Sequence, residues 1–163
     1  MEIRKATWED LPVMQRIFAH AREEMRKNGN PTQWKDNRPP LFLIERDMNA
    51  GTTYVIEDEG RVCATFSYTL GIDPTYIKID DGAWLSDDPY GTIHRIASDN
   101  TVPGIFDFVM KFVENFGVDV RIDTHHDNAV MLHVLEKNGF VRCGTIYIDD
   151  GTSRIAFQKV IGK

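Results

Sequence analysis

Residues 94–140 constrain the fold most, because strand patterns and helix patterns alternate along this stretch. Residues 92–97 and 118–124 are rich in strand-forming side chains, and the stretch 105–116 between them repeats apolar residues at helical spacing. A second helical pattern, 128–139, begins at an asparagine and ends at a glycine, which are typical cap residues. Two strands joined through a helix run parallel. The sequence therefore predicts a β-α-β-α unit whose loops and helix starts can hold an anionic or polar cofactor.

The remaining chain extends the sheet on both sides of this unit. The predicted elements are a strand at 3–5, a helix from about residue 7 to residue 29, a loop at 30–40, a helix at 41–48, a hairpin of 53–56 and 62–70, and closing strands at 140–148 and 153–160. Residues 71–91 carry many Asp, Gly and Pro residues and predict a long loop with one short element. The order of elements is that of a mixed α/β (α+β) protein.

Length and composition exclude several classes of protein. A chain of 163 residues suits one domain over 1–163, and 42% hydrophobic with 27% charged residues is an ordinary globular balance. No apolar run approaches the roughly 20 residues of a membrane span, so we expect a cytoplasmic protein. A net charge of -6 disfavours nucleic acid. Cys63 and Cys143 belong to no metal-binding pattern and are predicted to be buried free thiols.

The end of the central unit carries a family pattern. The residues N-A-V-M at 128–131 and E-K-N-G-F at 136–140 resemble the N-x-x-A/M and E-K-x-G-F pieces of the GNAT family of acetyl-CoA-dependent N-acetyltransferases. The residues R-I-D-T-H-H-D-N at 121–128 and G-F-V-R-C-G at 139–144 resemble a bacterial subgroup of that family. The order of elements is similar to this family over nearly the whole chain. The resemblance implies a GNAT fold, with a mixed central sheet of about six to seven strands, splayed parallel strands and about four helices.

The resemblance also implies where acetyl-CoA, as a co-substrate, would bind. In the family the pantetheine arm enters between two splayed strands, here 92–98 and 120–124, and the pyrophosphate lies on the amides of the helix that starts near residue 104. The cofactor-binding residues implied in this way are Ile96, Ala97, Ser98, Val102, Gly104, Ile105, Phe106, Asn128, Met131 and Lys137.

The sequence departs from the family pattern at two places. The family loop Q/R-x-x-G-x-G/A corresponds to T-V-P-G-I-F at 101–106, where only the central glycine is retained. Many members also carry a tyrosine seven residues after the helix asparagine, whose phenol protonates the leaving thiolate, and Leu135 stands there. Tyr147 on a neighbouring strand is the candidate replacement, although a packed tyrosine at the sheet edge is the simpler interpretation. The loop leaves competent and weakened acetyl-CoA binding as alternatives.

Two histidines are candidates for the general base, because imidazole titrates near neutral pH. His94 lies on the first splayed strand and His125 at the end of the second, and each has the alternative of a structural or solvated residue. Backbone amides of Ile96 and Ala97 are candidate donors to the oxyanion. Strand alternation predicts that His94 and Ile96 share one face, with Arg95 and Ala97 on the other.

Other polar and aromatic residues have two interpretations each. Trp34 is either a packing anchor or the wall of an acceptor-substrate pocket, with Gln33 and Arg38 as polar companions. The consecutive residues 125–127, H-H-D, invite a metal site, but adjacent strand residues point in opposite directions, so we predict no metal. The acidic residues of 80–88 suit either solvent or a cationic acceptor.

The leading hypothesis from the sequence is an N-acetyltransferase that moves acetyl from acetyl-CoA to a primary amine of a small molecule or peptide by direct attack. The alternatives are a degenerate GNAT-fold protein that binds a ligand or partner without catalysis, and an acyltransferase that uses another acyl-CoA. The expected partner is the amine, with no nucleic acid and no membrane. A homodimer is compatible with the sequence, which does not specify the oligomeric state.

Overall fold

The computed structural model describes residues 1–161, and a seven-stranded mixed sheet forms its centre. The spatial order of the strands is β1-β2-β3-β4-β5-β7-β6. Their bounds are β1 (Glu2–Lys5), β2 (Thr53–Asp58), β3 (Arg61–Leu70), β4 (Tyr90–Ser98), β5 (Asp119–Thr124), β6 (Val141–Tyr147) and β7 (Ser153–Lys159). The helices are α1 (Leu11–Lys27), α2 (Leu41–Ala50), α3 (Ile105–Glu114) and α4 (Ala129–Lys137). The predicted mixed sheet of six to seven strands with four helices is confirmed; residues 162 and 163 of the predicted domain lie outside the described residues.

The only parallel pairing within residues 1–161 joins β4 to β5, and it is short. Tyr90, Gly91 and Thr92 pair with residues 119–121, and beyond Thr92 no further pairing follows, although both strands continue. The two strands therefore separate toward their carboxyl ends, as predicted. We call this gap the splay.

The helices cover opposite sides of the sheet. On the α3 side, Val109 and Leu135 pack with inward strand residues such as Ile122 in the largest core cluster. On the α1 side, Phe18 and Ala97 belong to a second cluster that α2 completes. On the same side of the sheet, the 71–89 segment packs against side chains of β4, β6 and β7 in a third cluster.

A β-bulge in β4 overturns the predicted alternation of side chains. Thr65 and Ser67 of β3 are two residues apart, but their partners Ala97 and His94 are three apart, so β4 carries one extra residue. His94 and Ala97 therefore face the same side, and not opposite sides as strict alternation predicts. Arg95 accommodates the bulge with a φ of 53°, while Ile96 packs against the core of the α3 side.

The 71–89 segment is a long connection with one 3-10 turn, Pro74–Tyr76, as the loop prediction allows. A main-chain bridge between Asp80 and Thr145 attaches it to β6. Farther along, the guanidinium of Arg121 lies 4.0 Å from the ring centre of Trp84 and 3.8 Å from that of Tyr90, which are cation–π distances. The segment is thus a fixed cover over β5 and β7.

Two further predictions concern burial and length. Cys63 and Cys143 are buried free thiols, as predicted, and burial raises the pKa of both. None of the helices in residues 1–161 combines the length and the apolar character needed to cross a membrane.

Candidate active site

A cavity of about 430 Å³ opens on the α1 side at the splay. Its walls come from α2 and the connection before it, the 71–89 segment, β4, β5, the start of α4, β7 and the turn between β6 and β7. It brings together five residues predicted from the sequence as site residues, namely Trp34, His94, Ile96, Asn128 and Met131. The cavity therefore joins the predicted cofactor strand to the predicted acceptor pocket.

His94 and Asp73 form a short polar contact in the cavity. Nε2 of His94 lies 2.6 Å from Oδ2 of Asp73, whose other oxygen accepts hydrogen bonds from the amide and hydroxyl of Thr75. Burial alone would raise the pKa of Asp73, but the bonds from His94 and Thr75 outweigh it and hold that pKa well below its usual range. Asp73 is thus an anion that accepts the Nε2 proton. Nδ1 of His94 then carries the lone pair that can accept a proton.

Tyr76 and Asp123 form a second pair next to this histidine. The Tyr76 hydroxyl donates a 2.6 Å hydrogen bond to Oδ2 of Asp123, and the Tyr76 ring lies 5.9 Å from the ring of His94. Complete burial, followed by the negative charge of Asp123, raises the pKa of Tyr76 well above its ordinary value. Tyr76 therefore stays a proton donor, and Oδ1 of Asp123 has no hydrogen-bond partner among residues 1–161.

The bulge is anchored to α2 by a buried ion pair. Nε and Nη2 of Arg95 lie 2.7 and 2.6 Å from Oδ2 of Asp47, a carboxylate that is 5% exposed. A buried pair of this kind destabilises the protein strongly when one partner is removed. This pair therefore holds in place the backbone that precedes Ile96 and Ala97, the predicted oxyanion donors.

Trp34 is a packing anchor, as one of its two interpretations predicts, and its role in an acceptor pocket stays a prediction. Its ring packs edge-on against Phe18 with centroids 5.8 Å apart, and it also lines the cavity. The adjacent Gln33 accepts a 2.9 Å hydrogen bond from Nδ2 of Asn128, whose Oδ1 accepts the Met131 amide and so caps α4. The cap ties the start of α4 to the connection between α1 and α2.

His125 is placed differently from His94. Its Nδ1 accepts the Asp127 amide at 3.0 Å and its Nε2 lies 3.1 Å from the hydroxyl of Thr32, so both ring nitrogens are engaged. Burial, then the positive charges of His126 and Arg154, lower the pKa of His125, which is therefore neutral near pH 7. It is not among the residues that line the cavity.

The geometric reason given for excluding a metal at residues 125–127 is wrong. These residues lie past the end of β5, and the rings of His125 and His126 stack with centroids 4.2 Å apart instead of pointing in opposite directions. Ligand atoms of His125, His126 and Asp127 lie within 4.8 Å of one another. Because the two nitrogens of His125 are already hydrogen-bonded, this cluster is a poor ligand set.

The loop before α3 carries the predicted pyrophosphate residues. Gly104 has a φ of 77°, and no heavy atom lies within 4 Å of the place where a Cβ would stand, so the backbone is open at the helix start. Phe106 differs from the family pattern for a structural reason: its ring packs 6.2 Å from that of Phe140 in the core. Val102 and Ile105 also pack against this core.

Polar residues of the same loop are held by an arginine that sequence reasoning missed. Nη1 of Arg61 donates to Oδ2 of Asp99 at 2.6 Å, and Nη2 donates to the Thr101 hydroxyl. The Ser98 hydroxyl accepts the Asn100 amide. Arg61 belongs to the hairpin of β2 and β3, so a guanidinium stands at this loop although residue 101 is not basic.

Tyr147 and Lys137 are two further predicted site residues that do not line the cavity. Tyr147 is 43% exposed on β6 and does not line it, while Lys78 lies 6.0 Å from its ring centre. Lys137 lies in the last turn of α4 and makes no ion pair within residues 1–161.

Asp73, Asp123 and Arg154 are among the cavity residues that were not found from the sequence. Asp73 stands in a loop without a motif and carries no local signal. Asp123 and Arg154 interrupt the apolar patterns of β5 and β7, and a charged residue within a central strand is a usable signal.

Solved structures resemble this chain over nearly its whole length. A GNAT-family acetyltransferase from Streptococcus agalactiae is 31% identical, with a TM-score of 0.88, covering 99% of this chain and 96% of that one. A GNAT-family acetyltransferase from Listeria monocytogenes is 19% identical with a TM-score of 0.72, covering 98% and 94%. A ribosomal-protein-alanine N-acetyltransferase from Brucella melitensis is 19% identical with a TM-score of 0.59, covering 99% and 100%. The last two support the fold alone.

No protein-family model and no curated protein matches the chain. The relative from Streptococcus agalactiae is nevertheless 31% identical, which is more than a shared fold alone would explain. The match covers 99% of this chain and 96% of that one. Because this relative is an acetyltransferase, the likeness identifies the protein as an acyltransferase. The chain belongs to the GNAT family of acetyltransferases.

Proposed function

We propose that the protein is an N-acetyltransferase that moves acetyl from acetyl-CoA to a primary amine of a small molecule by direct attack. The observation that carries this proposal is the His94–Asp73 pair, which lies in the cavity two residues beyond Thr92, the last residue of β4 that pairs with β5. At neutral pH a primary amine in water is an ammonium ion, and it must lose a proton before it can attack. A histidine oriented by an anionic aspartate is suited to that task.

The chain has groups that fit acetyl-CoA on the other side of the splay. Gly104 leaves the backbone open where α3 begins, and the first amides of a helix have no partner within the helix. Such a helix start favours the pyrophosphate. Beyond Thr92 the edge of β4 that faces β5 has no strand partner and is available to the pantetheine arm, and the bulge fixes the amides of Ile96 and Ala97 near the place of the thioester.

The roles follow from these contacts. Nδ1 of His94 takes a proton from the ammonium group, and the freed amine forms a bond to the acetyl carbon. Amides at the bulge stabilise the oxyanion, the carbon–sulfur bond breaks, and the nitrogen loses its second proton. The electron pair of the broken bond stays on sulfur, and one of the two protons protonates the thiolate. Asp73 is a positioning residue, since it acts only through His94.

The proposal retains one of the two predicted bases and needs no tyrosine acid. His125 has no free nitrogen, because Asp127 and Thr32 engage both. A thiol with a pKa near 8.5 leaves as a thiolate far more easily than an amine leaves, so the exposed Tyr147 is not required. The degenerate-protein alternative lacks a reason for the His94–Asp73 pair.

Two measurements test the proposal in sequence. Acetyl-CoA at concentrations well above its dissociation constant raises the melting temperature if the native state binds it. A panel of amines, assayed by release of free CoA thiol, then tests transfer. The proposal is overturned if millimolar acetyl-CoA leaves the melting temperature unchanged, or if no amine of the panel releases CoA.

A further inference from the structure

The charges that line the cavity are balanced, and most of them are already paired. Arg38 lies 2.7 Å from Asp149 at the turn between β6 and β7. Asp47 is paired with Arg95 at 2.6 Å and lies 3.5 Å from Arg46. These five groups satisfy one another and leave no strong demand for a ligand charge.

Two opposite charges of the cavity remain without an ionic partner. The anion of Asp73 is engaged by His94, but within residues 1–161 no cation lies within 4 Å of Asp123 and no carboxylate lies within 4 Å of Arg154. Asp123 accepts only the hydroxyl of Tyr76. A cavity that presents one free anion and one free cation is complementary to a ligand that carries both charges.

Arg154 is buried and held in one position by hydrogen bonds. It is 4% exposed, and its guanidinium donates to three neutral oxygens, the carbonyls of Gln33 and Ser153 and the hydroxyl of Thr152. These bonds fix the guanidinium plane and leave Nε and one hydrogen of Nη2 without a partner among residues 1–161. Burying a guanidinium without a carboxylate costs several kcal/mol. A ligand carboxylate would offset that cost.

The sheet places the base and the two free charges in one row. His94, Asp123 and Arg154 lie on the neighbouring strands β4, β5 and β7, and all three point to the α1 side. Asp123 pairs with Ala156, so Arg154 is its diagonal neighbour on the same face, at a backbone distance of about 7 to 8 Å. From β4 to β7 the row therefore consists of the base His94, the anion Asp123 and the cation Arg154.

Burial lowers the pKa of Arg154, and the negative charges of Asp123 and Asp150 partly offset this effect. The guanidinium nevertheless stays protonated at any working pH. Arg154 is therefore a permanent cation for the ligand.

We infer that the acceptor is the α-amino group of a free amino acid, with its carboxylate on Arg154 and its ammonium group on Asp123 beside His94. The ammonium nitrogen and the carboxyl carbon of an amino acid are about 2.5 Å apart. A molecule of that size fits between two charges that are too far apart to pair directly. The inference rests on the proposed acetyl transfer and names its acceptor class.

The test uses the wild-type enzyme and compares three forms of each acceptor with one another. The twenty amino acids, their amides and their decarboxylated amines are assayed by CoA release. The amide keeps the amine and stands for the amino terminus of a peptide, but it lacks the carboxylate charge. We expect kcat/KM for the preferred amino acid to exceed that of its amide by about 10- to 100-fold, the range expected for hydrogen bonds to a charged group. Equal use of the amino acid and its amide would overturn the inference.

A pair of variants assigns the preference to one arginine. Arg154→Gln should lower kcat/KM for the amino acid by about 10- to 100-fold and leave the amide within about twofold, so that the preference collapses. Arg38→Gln, which removes a cavity arginine that is already paired with Asp149, should leave the ratio of amino acid to amide unchanged. An equal loss for both acceptors in Arg154→Gln would make Arg154 purely structural.

Failure of the inference and failure of the proposed function are distinguishable. If amides and decarboxylated amines release CoA as well as amino acids do, the transfer stands and the acceptor class is wrong. If nothing releases CoA, the transfer itself fails. The wild-type comparison needs no variant, so it decides the matter even if Arg154→Gln does not fold.

Discussion

The residues on the α3 side of the splay lie close together in the sequence, whereas those on the α1 side lie far apart. On the α3 side the loop before α3 and the cap of α4 both come from 92–140, and they lie on an apolar core to which β2, β3 and β7 also contribute. On the α1 side Asp73, His94, Asp123 and Arg154 come from four separate segments and line one cavity, where only His94 and Asp73 are hydrogen-bonded to each other. A family can be identified from the first kind of site, whereas the second kind determines the acceptor and becomes visible only in three dimensions.

The largest effect should follow from removing the base on the α1 side. We expect His94→Ala to lower kcat by about 10²- to 10⁴-fold, because general base catalysis typically contributes that much. CoA release with the preferred amine measures it, and melting curves check that the variant is folded. His126→Ala, which removes a more exposed histidine outside the cavity, is the matched control and should keep wild-type activity. Full activity of His94→Ala would show that His94 is not the general base.

The second prediction separates stability from binding on the α3 side. Phe106→Ala should lower the free energy of unfolding by about 3 to 5 kcal/mol, since its ring packs in the core against Phe140. Its affinity for acetyl-CoA should stay close to that of the wild type, because the helix start supplies amides and not this side chain. Urea titration and calorimetry measure the two quantities. Phe116→Ala, at a 40% exposed position, should cost less. A stable Phe106→Ala protein without affinity for acetyl-CoA would contradict the prediction.

The smallest effect concerns the dependence of stability on pH. The folded-state pKa of Asp73 is depressed by His94 and Thr75 despite burial, so the native state binds fewer protons than the unfolded state. The resulting stabilisation is complete above the unfolded pKa, about 3.9, and is lost as the pH falls below it. At pH 7 we expect Asp73→Asn to be less stable by about 1.5 to 3 kcal/mol, and the difference should shrink between pH 4 and pH 2.

Urea titrations at pH 7, 4 and 3 would measure this difference. Asp87→Asn, at an exposed position of the same segment, is the control and should follow the wild type at every pH. A constant gap between wild type and Asp73→Asn at all three pH values would show that Asp73 stabilises the fold without its charge.

The fold was predictable because its signals are local. Apolar spacing and glycines gave the helices and strands of 92–140, and Asn128 was correctly identified as the cap of α4. The bulge was not predictable, because an extra residue in β4 shows only in its register with β3. That register moved Ala97 to the face of His94.

In the candidate site, too, only the residues with a local sequence signal could be predicted. His94 could be named because histidine is rare and lies on a predicted strand, but its partner Asp73 is one of many acidic residues in a loop. The prediction for residues 125–127 used strand geometry past the last residue of β5, where it no longer applies. Charged residues within β5 and β7 were the usable signal that pattern reading passed over.

Two glycines far from the chemistry carry a consequence for reading natural variants. A Cβ at Gly82 would lie 2.0 Å from the carbonyl oxygen of Cys143, and one at Gly144 would lie 2.4 Å from that of Asp80. Any side chain there must lift the 71–89 segment from β6, and Asp73 belongs to that segment. A natural variant can therefore retain every residue of the cavity and still be inactive because of one substitution at either glycine. A comparison restricted to the cavity residues would not detect it.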